Sequence, residues 1–337
     1  MTDARLRLWH RTGIFAAIGG LALATAAQGC SSDDTKPDTM NPAGGPTFSL
    51  ASDGPSPFDA TPDPDGTTIY LTGLTADGTP GVFKVPADGS AKTPVAIATG
   101  GLLTSPFGIS ISGDGKQLFV SDPGANLSAD DAPETQGAIL TVAATGGELS
   151  PVPGTESTVP RSLDVVDNDG KDVIFYSGTD KSDGAPGIFS VSAAGGEVTT
   201  VFKGDPLRDP SGVAVAADGT IYVADTVSAT SSSADIIAIS KSGEATKIVE
   251  GIRVGYPAGI ALNKAGTTLL VSALNSETLN DTVIAVDLTK MTPTDLAPDT
   301  IKDFSEAGGL HRARNKDVFG WSDSNAGPNG GNVFLVK

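Results

Sequence analysis

Past residue 29 the chain carries only five arginines, Arg161, Arg208, Arg253, Arg312 and Arg314, and a single histidine, His311. Arginine's planar fork holds a carboxylate or phosphate through two parallel hydrogen bonds. Five arginines gathered at one opening would therefore select a small anion, such as an acidic sugar or a carboxylated peptide. The same side chains could instead pair with Asp164, Asp209 or Glu306 and bridge neighbouring units. Nucleophilic catalysis has little to draw on. A serine triad would have to use His311, and no G-x-S-x-G turn occurs. The stretches "TPDPDG" (61–66) and "DNDG" (167–170) lack the spacing and distal glutamate of a calcium loop. Asp63, Asp65, Asp114, Asp167, Asp169 and Asp218 read as hairpin formers. Asp122, Asp225 and Asp323 read as acceptors of backbone hydrogen bonds in the loops that follow them. No catalytic residue, metal site or cofactor is expected, and calcium is the one ion left to weigh.

The other reactive side chain is Cys30, the only cysteine. It cannot form an intrachain disulfide. Arg5, Arg7 and Arg11 precede an apolar stretch from Ile14 to Ala27, and "AAQGC" follows. That stretch has the length of a signal-peptide core and is short for a bilayer span. The residues around Cys30 resemble the bacterial lipobox, with Gly29 in place and Gln28 a departure from the pattern. The resemblance implies cleavage after residue 29, lipidation of Cys30, and anchoring at the cell envelope. Ser31 stands where an aspartate would imply retention in the inner membrane, so the outer membrane is the expected address. Residues 30–46 are polar and rich in Pro, Gly, Ser and Asp, the composition of a disordered tether. Three domains are thus expected: a signal peptide over 1–29, a lipidated tether over 30–46, and a folded domain over 47–337.

The formal charge of the 337-residue chain is −18, and loss of the signal segment lowers it by two more. Such a charge repels phosphate backbones and excludes a nucleic-acid partner. Abundant glycine with few charges suits a turn-rich β protein.

The elements that position the arginines come from a repeat. "DPSGVAVAADGTIYVAD" (209–225) recurs at 56–73, 105–122, 159–178 and 256–273, with a degenerate copy at 306–323. Pro57, Pro106, Pro160, Pro210 and Pro257 stand 49, 54, 50 and 47 residues apart. In each copy an aliphatic strand follows Pro-x-Gly, a tight turn reverses the chain, and a second strand such as "IYVAD" follows. Asp-Gly favours a two-residue hairpin in which both turn residues take positive φ. A third strand such as "GIFSV" and a fourth such as "ATKIVEG" complete four strands in about fifty residues, the signature of a propeller blade. Six copies predict an all-β, six-bladed propeller of four-stranded antiparallel blades. The sixth copy ends on its third strand, and "TFSLAS" (47–52) lacks a partner. Pairing that segment with the last blade closes the ring and covers its edge.

The 209–225 copy resembles the NHL repeat, and the ring resembles six-bladed TolB-like and gluconolactonase-like propellers. The resemblance covers about residues 47–337 and speaks to fold more than to activity. It implies that the Pro-x-Gly segments share one face with the long loops, and that a ligand sits at the channel mouth on that face. All five arginines are expected there. The residues between Pro and Gly are Phe58, Phe107, Arg161, Ser211, Ala258 and Gly308. Related lactonases place Asn, Asp and Glu at such a mouth to hold a divalent cation; here phenylalanines, an arginine and small residues stand instead, and the two acids nearby, Asp59 and Asp164, do not make a cage. The ligand-binding residues expected are Arg161, Arg208, Arg253, His311, Arg312, Arg314 and Phe107, with Tyr256 and Trp321 as further apolar surface. The sequence reading is a binding propeller for a small anionic molecule, tethered through the membrane lipid on Cys30. Its alternatives are a gluconolactonase-like metal-dependent hydrolase and a scaffold for protein partners.

Overall fold

The structure is a computed structural model and describes residues 46–54, 56–127, 137–168, 170–228, 233–254, 258–274, 281–296, 307–324 and 330–337. The signal segment, Cys30 and the tether up to residue 45 lie outside the described residues, as do Asp169, Tyr256 and Glu306. Among the described residues there is no helix.

The strands form six four-stranded antiparallel sheets, each in simple up-and-down order. Blade 1 is β2 (Pro57–Pro62), β3 (Thr68–Leu74), β4 (Pro80–Pro86) and β5 (Val95–Thr99). Blade 2 is β6 (Gly108–Ile111), β7 (Gln117–Asp122), β8 (Ala138–Ala143) and β9 (Ser150–Pro151). Blade 3 is β10 (Leu163–Asn168), β11 (Lys171–Thr179), β12 (Pro186–Ser192) and β13 (Thr199–Lys203). Blade 4 is β14 (Pro210–Val215), β15 (Ile221–Ser228), β16 (Ser233–Ile239) and β17 (Ala245–Arg253). Blade 5 is β18 (Ile260–Leu262), β19 (Thr268–Leu274), β20 (Asp281–Asp287) and β21 (Thr292–Asp295). Blade 6 is made from both ends of the domain: β22 (Ala307–Arg312), β23 (Phe319–Asp323), β24 (Asn332–Val336) and β1 (Phe48–Asp53). β1 pairs with β24 from Phe48↔Val336 to Asp53↔Asn332, and Thr47 exchanges two backbone hydrogen bonds with Lys337. The segment 47–52 is thus the fourth strand of the last blade, as its unpaired apolar pattern implied.

Where the core sits explains why a chain with few aromatics can build this ring. The buried apolar residues fall into clusters between successive blades. Phe119, Ile139, Leu163, Ile174, Tyr176 and Phe189 join blades 2 and 3. Ala261, Leu270, Leu310, Trp321 and Phe334 join blades 5 and 6. Each sheet presents aliphatic residues on both faces, so medium-sized Val, Ile and Leu fill interfaces about one residue thick. Trp321 is fully buried, stacks 5.5 Å from Phe334 and 6.2 Å from Phe48, and donates its indole N–H to Ser272 Oγ at 2.9 Å. The clasp strand therefore packs on the largest side chain of the blade it closes.

The turns differ from the sequence expectation in detail. In blade 3 Asn168 pairs directly with Lys171, the two-residue span expected, whereas blades 1, 2, 4 and 5 use a longer turn. In blade 1, Gly66 N–H bonds to Asp63 O while Asp63 N–H bonds to Thr68 O, and only Gly66 has positive φ, at 69°. Blades 2, 4 and 5 repeat this with Ser112–Gly115, Ala216–Gly219 and Asn263–Gly266. The aspartate keeps negative φ and instead accepts local bonds: Asp63 from Thr67 N–H, Asp114 from Lys116 N–H and Asp218 from Thr220 N–H. A four-residue turn ending in a left-handed glycine suits both the strand twist and this side-chain capping.

Candidate ligand site in the central channel

The innermost strand of each blade turns alternate residues toward the channel axis. The third and fifth positions after the blade start face inward. The third position is Asp59, Gly108, Ser162, Gly212, Gly259 and Gly309. The fifth is Thr61, Ser110, Asp164, Ala214, Ala261 and His311. Glycine dominates the third position because the inner strands approach closely there. A Cβ on Gly212 would lie 2.5 Å from Ala258 O of the next blade. A Cβ on Gly309 would collide with the carboxyl of Asp59.

Asp59 occupies the narrow part of the channel, with 2% of its surface exposed. Its Oδ2 accepts hydrogen bonds from Ile109 N–H of blade 2 and lies 2.8 Å from His311 Nε2 of blade 6. Three blades are joined at one carboxylate. His311 has its pKa raised: burial works against the charged ring, but Asp59, and then Asp164, outweigh it. Asp164 makes a similar tie across blades 3 and 4, its Oδ2 accepting Val215 N–H at 2.9 Å. Burial pushes the Asp164 carboxyl up, against that hydrogen bond and the fields of His311, Arg314 and Arg312.

Below this constriction the channel opens into a cavity of about 600 Å³. Asp164, His311, Arg312, Arg314, Thr61 and Ser110 supply its polar interior, and Ile111, Ala214, Ala261 and Ile260 are among its apolar walls. Its rim comes from the turns of blades 3 and 4, including Asp167, Asn168, Asp218 and Lys241. These are hairpin turns, so this cavity opens on the face opposite the Pro-x-Gly segments. Expecting the ligand opening on the Pro-x-Gly face did not anticipate it.

The five arginines divide between the two faces, which corrects the expectation of one shared mouth. Arg312 ends β22 beside the hairpin, and Arg314 lies within that hairpin. A place on the first strand does not imply nearness to its start: β22 carries its arginine at its far end. Arg312 Nε bonds Leu262 O of blade 5 at 2.6 Å, and Nη1 bonds Ala313 O, Arg314 O and Lys316 O. Burial lowers its pKa. Arg314 reaches from blade 6 to the opposite blade 3, where Nη2 meets Val165 O at 3.1 Å and Asp172 Oδ1 at 3.7 Å.

The remaining three sit on the Pro-x-Gly side. Arg161 of blade 3 pairs with Asp209 at the start of blade 4, one of the bridging pairs the sequence allowed. Arg208 pairs locally with Asp205 at 3.0 Å, both exposed. Arg253 ends β17 half-buried, and its Nε has no hydrogen-bond partner among the described residues. Phe107 packs edge-on against Phe58, ring centres 6.0 Å apart. These residues do not form one cluster with His311, Arg312 and Arg314.

The ring of residues between Pro and Gly on that side does not fit a calcium ion. Its described members are Phe58, Phe107, Arg161, Ser211, Ala258 and Gly308, which offer no cage of oxygen ligands. No group of three or more His, Cys, Asp or Glu side chains suited to a metal occurs among the described residues. Two of the second-strand aspartates, Asp122 and Asp225, hold backbone N–H groups. Asp122 accepts Thr104, Ser105 and Gly124 N–H, and Asp225 accepts Arg208 and Asp209 N–H. Most of these donors precede the blade's first strand, so the aspartate clamps the incoming chain as well as the loop that follows. Burial pushes Asp225 up to about 6. Sequence reasoning counts Asp59 only as one of two acids near the mouth and misses its pairing with His311, although Asp59 stands where the other copies carry glycine or serine. That departure from the repeat was its signal.

The fold and channel define a six-bladed, NHL-repeat-containing β-propeller. The NHL repeat family matches residues 207–230, the segment containing β14 and β15. Among curated proteins none matches the chain by sequence. Among solved structures the chain is similar to one described as a nidogen/laminin complex, at 16% identity and TM-score 0.58, covering 77% of this chain and 86% of that one. It is similar to a gluconolactonase from Xanthomonas campestris, XC5397, at 15% identity and TM-score 0.56, covering 86% and 89%. It is also similar to TolB from Acinetobacter baumannii, at 12% identity and TM-score 0.53, covering 72% of this chain and 54% of that one. At these identities the likeness is one of fold.

Proposed function

We propose that this chain is a binding protein of the bacterial cell envelope, tethered through a lipid on Cys30, with a small anionic ligand in the channel cavity on the hairpin face. One observation carries the reading. Arg312 spends Nε and Nη1 on four carbonyls, and its Nη2 donates to no described residue although the side chain lines the cavity. A half-buried guanidinium fixed on one side and open on the other is preorganised for a carboxylate. The lipid anchor rests on the lipobox-like residues before Cys30 and on the polar segment after it. Arg161, held by Asp209, has its charge already matched and is a poorer ligand.

The test is calorimetric titration of the purified protein with glucuronate and acidic oligosaccharides. Arg312→Gln should weaken binding at least tenfold, and Arg161→Ala should leave it unchanged. Weakening by Arg161→Ala alone would place the site on the other face and overturn the reading. The anchor is tested separately by fractionation: Cys30→Ser should move the protein from the membrane to the soluble fraction, and continued sedimentation with membranes would refute lipidation.

A further inference from the structure

The charges inside the cavity do not all find partners, and the two left over have opposite sign. Arg314 is met by Asp172 across the channel, and His311 is met by Asp59. That leaves Arg312 and Asp164. Neither forms an ion pair with any described residue, although each lies in the other's field. Arg312 presents Nη2. Asp164 has Oδ2 on Val215 N–H, while its other oxygen accepts no hydrogen bond from the described residues. They stand on opposite sides of the ring, on blades 6 and 3, with Thr61, Ser110, Ala214 and Ala261 around the same channel.

We infer that the cavity takes a small zwitterion, a molecule carrying a carboxylate for Arg312 and an ammonium for Asp164. This rests on the proposed use of the cavity and names the ligand's chemical class. Two half-buried charges of opposite sign, each without a partner, are each costly alone. A ligand bringing both counter-charges relieves both at once. A dicarboxylate would satisfy Arg312 and be repelled by Asp164; a diamine would do the reverse. The titration tendencies agree in direction: burial raises the Asp164 carboxyl and lowers Arg312, so each charged form is disfavoured until a partner arrives. The apolar walls suit the short carbon chain between the ligand's two charges. Free amino acids, ω-amino acids and short peptides have this chemistry.

The experiment is calorimetric titration of the purified full chain with four probes: 4-aminobutyrate, glycylglycine, succinate and 1,4-diaminobutane. At least one of the first two should bind tenfold or more tighter than both of the others. Asp164→Asn should bring succinate level with the zwitterion, and Arg312→Gln should do the same for the diamine. Should Arg312→Gln fail to fold, Arg312→Lys keeps the charge without the fork and should weaken the zwitterion several-fold. Succinate binding as well as or better than either zwitterion in the unsubstituted protein, with dependence on Arg312, overturns the inference and leaves the anionic-ligand reading standing. No binding by either zwitterion overturns the inference as well, and glucuronate binding then decides the broader reading alone.

Discussion

Replacing Asp59 with alanine should destabilise the whole ring. The carboxylate and His311 side chains are 3% and 10% exposed and meet at 2.8 Å. Oδ2 also receives Ile109 N–H, and Oδ1 receives Ala60 N–H at 2.7 Å. Removing one member of a buried charged pair costs about 3–5 kcal/mol, because the survivor stays buried without a partner. For a folded domain of about 290 residues each kcal/mol lowers Tm by about 1.6 °C, so Asp59→Ala should lower it by roughly 5–8 °C. Thermal melts followed by circular dichroism from pH 6 to pH 9 read both the size and the cause. The folded-state pKa of His311 lies above its ordinary 6.5. Its charged-pair stabilisation is therefore full below about pH 6.5 and fades as pH rises through the raised value. The difference between the two proteins should be largest near pH 6 and shrink toward pH 9. Asp59→Asn keeps the shape and loses the charge, so it should melt between the two and show a flatter difference. Asp164 also faces the imidazole and leaves a residual pH dependence that Asp59→Asn/Asp164→Asn removes. An Asp59→Ala protein melting within about 2 °C of the parent, or a difference that does not change with pH, would refute this account of the channel.

Gly309→Ala places a methyl group inside the Asp59 carboxyl and should cost about 1–3 kcal/mol by overpacking; in an Asp59→Gly background, which removes the Asp59 Cβ at 2.7 Å as well as the carboxyl, most of that cost should vanish, which a double-mutant cycle by urea unfolding measures. Trp321→Ala empties the blade 5–6 interface beneath the clasp strand and should cost about 3–5 kcal/mol, with proteolysis near residue 47 rising in step. Arg161→Ala breaks a partly exposed pair, its side chains 25% and 35% accessible, and should change stability by less than about 1 kcal/mol in the same urea assay.

The blade count and closure were legible because they rest on local signals: Pro-x-Gly, a turn glycine and alternating aliphatic residues, repeated at a near-constant spacing. "TFSLAS" announced its partner by lacking one. The site was less legible. Whether Arg312 sits near one face or the other depends on which end of β22 carries it, and in this six-residue strand that difference is the full depth of the channel. The degenerate sixth copy, with Ala307 in place of proline, blurred that reading. Asp59 was hidden for another reason: its partner, His311, lies 252 residues away, and the two meet because the first and last blades are neighbours in the ring. The turn length is legible in blade 3, where Asn168 pairs with Lys171, but not in blades 1 and 4, because Asp-Gly alone does not say whether one or two residues take positive φ; there the side-chain bonds of Asp63 and Asp218 accompany the longer turn.

The hairpin turns around the cavity are not equally secured. Lys264 of blade 5 holds Asn315 and Asp317 of blade 6, Asn315 holds Pro64 and Asp65 of blade 1, and Gly113 of blade 2 holds Asp172 of blade 3. The Ala216–Gly219 turn of blade 4 has no hydrogen bond or ion pair to either neighbouring turn among the described residues. It is therefore the segment that can swing outward without breaking a polar tie to another blade, and it borders the cavity. Admission of a guest from solvent would pass over this compliant lip, while the braced remainder of the ring keeps the charges beneath it in register.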